Sequence, residues 1–204
     1  MRLGTRKTAV KIFASVVLVG GAASVAGLGT FGSFTSTTSA SAATGTGKVV
    51  LSTAASVRGL DVSATNLVPG DTVERTVTLT RSSDTESFGS VKLTTAGTTS
   101  NLLTTDQTNG LQLKVDQCSV AWTKPANSNA LTCSGTTTPV IAQRAVVGST
   151  LDLGAATTTL NSSAAAANLR VTVSLPTTAD NTFQGLSNTI NFTFDATQRA
   201  AQSL

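Results

Sequence analysis

The chain has 204 residues, with 14 Lys and Arg against 10 Asp and Glu, and it lacks His and Tyr altogether. Without His, Ser-His-Asp and Cys-His catalysis and the commonest zinc sites are excluded. Four of the basic residues, Arg2, Arg6, Lys7 and Lys11, fall in the first eleven positions, so the remainder is balanced at ten of each sign; that balance argues against a nucleic-acid binder and leaves little charge to keep copies apart.

Met1–Lys11 is a basic n-region and Ile12–Leu28 an apolar h-region broken by Gly20 and Gly21, the plan of a secretory signal peptide. The alternative is an uncleaved membrane anchor, for which the segment is short and rich in Gly and Ala. Thr30-Phe31-Gly32 places small residues at −3 and −1, so cleavage between Gly32 and Ser33 is expected. Ala40-Ser41-Ala42 is a second, more conventional site. We therefore read residues 1–32 as the signal peptide, with cleavage alternatively near 42, and 33–47 as a flexible N-terminal arm. The stretch Thr35–Gly47 is Thr, Ser, Ala and Gly; alone, it lacks the apolar side chains that offset ordering entropy.

Residues 48–204 form the expected folded domain. Lys48–Ser52 is the first strand candidate, with another near Leu60–Ser63. Leu67–Asp71 (LVPGD) signals a turn, since Pro fixes φ and Gly permits positive φ; Asp71 reads as its capping residue. In Thr72–Thr80, Val73, Val77 and Leu79 share one face and Glu74, Thr76 and Thr78 the other, the period-2 pattern of a half-buried strand. Arg75 interrupts the apolar face and is expected near a strand end, or with its head in water.

Phe88–Thr95, Leu111–Val115, two short pieces around Gly148, Leu169–Leu175 and Leu186–Asp195 read as further strands. Cys118 and Cys133 are the only cysteines. In an exported protein they are expected to form one disulfide closing a short loop, with Trp122 packed nearby. Leu160–Asn168 is the one helix candidate. Eight to ten short strands between turn clusters mean a β-sandwich or barrel.

Three segments, in this order, resemble the TasA/camelysin family of secreted bacterial proteins. GLGTFGSFT at 27–35 is similar to the family's signal junction, which a SipW-type signal peptidase processes. LVPGDTVERTVTLT at 67–80 is similar to its L-x-P-G-D turn and strand. NTFQGLSNTINFTFDATQ at 181–198 is similar to its C-terminal ending. The Cys118/Cys133 pair with CSVAWT resembles an actinobacterial type of member. The resemblance implies an all-β, jelly-roll-like antiparallel sandwich with at most one short helix. It implies a secreted subunit of biofilm-matrix or cell-surface fibres, assembling by adding its N-terminal strand to the next copy. Ser33–Ser52 is the expected donor, with Phe34, Val49, Val50 and Leu51 as candidate anchors. The expected partners are the chain itself, the signal peptidase, and an accessory fibre protein or the cell envelope. No nucleic acid, small-molecule ligand, metal or cofactor is expected. The alternative is a monomeric cell-surface adhesin or a fibre-anchoring module. Camelysin-type members have been described as metalloproteases, but this sequence has no H-E-x-x-H motif and its ten acids are scattered; it is not expected to be an enzyme.

Overall fold

The structure, a computed structural model, describes residues 34–40, 51–54 and 67–200, the first two stretches as backbone only. The expected strand at 60–63 lies outside the described residues.

Strands in which every second side chain is apolar must hide that face from water. β3, β4, β8 and β9 do so most plainly, among nine described strands: β1 (Phe34–Ala40), β2 (Leu51–Ala54), β3 (Thr72–Arg81), β4 (Phe88–Gly97), β5 (Gln112–Cys118), β6 (Thr137–Ala145), β7 (Gly148–Asp152), β8 (Ala166–Ser174) and β9 (Ile190–Gln198). They make two sheets, ordered β1-β9-β4-β7 and β2-β3-β8-β5-β6. The antiparallel pairing is nested, β5 with β6, β4 with β7 and β3 with β8, and β1 adds outside it along β9. Such nesting, wound across two packed sheets, is a jelly roll. Every pair is antiparallel except β1–β9, which is parallel.

Between the sheets, Leu79, Leu113, Val115 and Leu169 meet Val91, Leu93, Phe192 and Phe194, all fully buried. The faces follow the sequence pattern; β8 alternates buried and half-buried along its whole length. Arg75 is an exception. Its register opposite Val171 turns it to the core side, where it is buried, and its Nη1 donates to the Glu74 carbonyl at 2.8 Å. With a side-chain period of two, its neighbours fix its side and leave it no route to water.

The helices are short. α1 (Leu102–Thr105) is a single turn and α2 (Gly154–Leu160) runs seven residues. The helix expected at 160–168 lies earlier, ending at Leu160, because Ala166 and Ala167 pair with Thr80 and Leu79 in β8. The ladder overrides the helical preference of an alanine run. Two polar side chains fix α2 in place. Asn161 receives the Phe88 N–H and donates to the Phe88 carbonyl, both at 2.8 Å, like a short piece of strand. Arg81 Nε donates to the Leu160 carbonyl at 2.7 Å, capping the helix's last turn.

The registers define two ends. At the lower end lie Phe34, Thr72, Gly97, Gln112, Ala145, Ser174 and Ile190; at the upper end lie Ala40, Leu51, Arg81, Phe88, Cys118, Thr137, Ala166 and Gln198.

The core assignment predicts that Phe194→Ala lowers the free energy of unfolding by about 3–5 kcal/mol. Gln143→Ala, on the exposed flank of β6, should change it by no more than about 0.5 kcal/mol. Equilibrium denaturation in guanidinium chloride measures both.

Candidate functional site

Three places outside the core are specialised: the β9 edge, a flap on the outer face, and the lower loop end. A sheet edge exposes unpaired N–H and C=O groups and invites another strand. On the flank of β6, Pro139 removes a donor and register shifts against β5 break the ladder. On the opposite flank of that sheet, β2 lies along the upper half of β3. In the other sheet β7 is short, and above it the Leu153 N–H and the Thr157 hydroxyl bond the backbone of Val91. That leaves the outer side of β9, nine residues without Pro or Gly. It is closed by β1, in register from Phe34 opposite Ile190 to Ala40 opposite Ala196. Residues 34–40 fall within the stretch expected to be a flexible arm; here they form a strand paired with β9.

The candidate anchors do not share one strand. Phe34 begins β1 in one sheet and Leu51 begins β2 in the other. Val49, Val50 and the cleavage residues Gly32 and Ser33 lie outside the described residues.

The flap is the connection between β5 and β6. Cys118, the last residue of β5, is bonded to Cys133 fifteen positions on. The chain between them folds back over the outer face of the five-stranded sheet. Trp122 is 4% exposed and its indole N–H donates to the Asn168 carbonyl at 3.0 Å. Under it lies Arg170, its guanidinium 4.3 Å from the ring centroid. Arg170 reaches Glu74 at 3.1 Å and Asp116 at 2.9 Å, and it donates to the Leu131 carbonyl. Glu74 also receives the Leu131 N–H, and Lys114 lies 3.1 Å from Asp116. Two acids and two bases thus neutralise each other beneath an aromatic lid. Alternation places Glu74, Thr76 and Thr78 on the outer face, yet Thr76 is buried because the flap covers it. Sequence reasoning missed Arg170. The available signal was its position between inward Leu169 and Val171, which puts it on the same outer face as Glu74.

The lower end is a plate of loops tied by hydrogen bonds. In the LVPGD turn, Gly70 adopts φ +98° and Asp71 N–H bonds the Val68 carbonyl, a type II turn. The Asp71 carboxylate receives the Val68 N–H at 3.0 Å, the capping role expected of it. Gly70 N–H bonds the Leu175 carbonyl, Thr178 bonds Asn109, and Asn101 bonds the Ser187 carbonyl. The two family-like segments at 67–80 and 181–198 meet here, around a groove of about 490 Å³ lined by Leu67, Val68, Pro69, Phe183 and Leu186 among others. Two carboxylates belong to this end. Backbone N–H groups of Asn109 and then Thr108 hold Asp106 below the ordinary aspartate pKa. The hydroxyl and N–H of Thr182 do the same for Asp180.

The sequence profile of the camelysin metallo-endopeptidase family matches residues 6–203, almost the whole chain. The chain belongs to the camelysin family. No curated protein matches it. The family's description implies a metal, and the described residues of this chain do not fit one. The sequence has no His. Among the described residues no three of His, Cys, Asp or Glu gather where a cation could be held. Asp116 and Glu74 are committed to Arg170, and Asp71, Asp106 and Asp180 to their own turns. No helix among the described residues is long and apolar enough to cross a membrane.

Two outcomes follow from this geometry. Replacing Cys118 and Cys133 by Ser should cost about 3 kcal/mol in the chain-entropy account of a fifteen-residue loop. It should also shift Trp122 emission to the red as the flap lifts, read by denaturation and fluorescence. For Asp106 and Asp180 the depressed folded-state pKa means that their contribution is present at neutral pH and is lost as pH falls through that value. Carboxyl NMR titration should give both midpoints below that of ordinary aspartate, with the amides of Asn109, Thr108 and Thr182 moving in the same step.

Proposed function

We propose that this protein is a secreted, non-enzymatic structural subunit. It assembles into fibres of an extracellular biofilm matrix or cell surface by adding its N-terminal strand to the next copy. The observation that carries this reading is the closure of the β9 edge by residues 34–40 of the N-terminal arm and not by a strand of the body. A strand supplied by an arm can be supplied by another copy's arm. Strand addition satisfies the edge through main-chain hydrogen bonds. Head-to-tail addition is heterologous, so it yields filaments and not closed rings. The near-neutral charge balance after residue 32 and the camelysin membership are consistent with such an assembly.

On this reading residues 1–32 are the leader, removed between Gly32 and Ser33 by a SipW-type signal peptidase, and the arm acts on emergence. Phe34 is the large apolar residue of the donor strand. The body's partners are other copies, then an accessory fibre protein or the cell envelope.

Electron microscopy of chains spanning 33–204 and 48–204 tests the reading. Fibres are expected from the longer chain and none from the shorter. Monomers from both would favour the adhesin or anchoring alternative, and casein hydrolysis by a pure, metal-loaded preparation would overturn the non-enzymatic part.

A further inference from the structure

Four large apolar side chains are exposed among the described residues: Val68, Leu102, Val120 and Val147. Their placement is lopsided. Val68 sits in the lower turn, 59% exposed beside the groove. Leu102 opens α1, in the loop that follows the lower end of β4. Val147 lies in the β6–β7 link, whose Val146 N–H bonds the Leu111 carbonyl at that same end. Val120 alone is at the upper end, two residues beyond Cys118 at the root of the flap. Single apolar residues scattered over a surface need no explanation, but three of these four stand at one end, and the one at the groove, Val68, is the most exposed.

We infer that the lower loop end is a docking surface for the upper end of a second copy, with that copy's Val120 entering the groove beside Val68. The inference rests on the fibre reading above and adds to it a contact between bodies. Chain length supports the placement. From Ala40 at the upper end of β1 to Leu51 at the upper end of β2 there are eleven Cα steps, a reach of about 36–40 Å. A ten-residue strand such as β3 covers about 30 Å. If a donated β1 runs along another copy's β9 in the observed direction, its Ala40 lies at that copy's upper end. The reach then allows the donor's body to stand directly above, lower end down. If the donated strand runs in the reverse direction, Ala40 lies at the lower end, and the donor's upper end stands directly beneath. In both directions, same-polarity stacking brings an upper end against a lower end. The outer side of β6 offers no comparable surface: it shows Thr137, Thr138, Pro139, Ala142, Gln143 and Arg144.

The test uses the full chain, secreted and processed, carrying Val68→Asp, Leu102→Asp, Val147→Asp or Val120→Asp singly, with Gln143→Asp as the flank control. Thermal melts by circular dichroism report folding, and Val68→Thr and Val147→Thr provide near-isosteric versions that remove only apolarity. The concentration at which assembly begins, read by light scattering and electron microscopy, should rise about tenfold or more for each Asp variant. It should rise less for the Thr variants and not at all for Gln143→Asp. Val68→Thr combined with Val120→Thr should raise that concentration by less than the product of the two single effects, as for two residues in one contact. If wild type and control assemble and the four variants assemble equally well, the docking surface is wrong and the fibre reading stands. If wild type stays monomeric at every concentration, both are wrong.

Discussion

The dry layer between the two sheets constrains everything else in this chain. Leu79, Leu93, Phe192 and Phe194 have no exposed surface, and interiors packed to crystalline density leave no space for chemistry. With an inner face committed to apolar contact and only seven residues in the longer helix, specialised features can sit only on the outer faces, along the edges or at the loop ends. The flap, the β9 edge and the lower plate occupy those three positions.

The same layer explains how much could be read from sequence. Val77 and Leu79, Val91 and Leu93, Leu169 to Leu175, and Ile190 to Phe194 announce their faces by period two, and each is buried where that pattern puts it. What pattern cannot carry is what happens beyond one strand and its neighbour. Thr76 looks solvated until a fifteen-residue connection returns over it. Arg75 looks like an end residue until its register opposite Val171 is known. β9 begins at Ile190 and not at Leu186 because Ser187 and Asn188 bond the loop around Asn101, a partner almost ninety positions away. The disulfide was legible because two lone cysteines leave one pairing. The ionic group around Arg170 was not, because its members come from β3, β5 and β8 and are gathered only by the sheet order.

Under the flap, charge is handled by pairing. Arg170 stands between two carboxylates under an indole, and Lys114 answers the second of them. Breaking such a group by removing one member leaves a half-buried charge uncompensated, whereas the intact group is close to neutral. The flap therefore depends on the ionic group as much as on the disulfide: Leu131 is held by both Glu74 and Arg170, while Cys133 ties the strand that follows.

The nested pairing also sets an order of events in time. β5 and β6, the innermost pair, are joined by their own connection and can meet as soon as both exist. β3 must wait for β8, and β4 for β9. β9 is the last of the described strands in chain order and lies centrally in its sheet, so that sheet cannot close before residues 190–198 are in place. Contacts of such long sequence separation are slow to form. The edge that pairs with residues 34–40 thus comes into being only once β9 has joined β4. Residues 34–40 precede the strand they pair with by 156 positions, from Phe34 to Ile190, and a chain in which β9 has not yet docked offers no such edge.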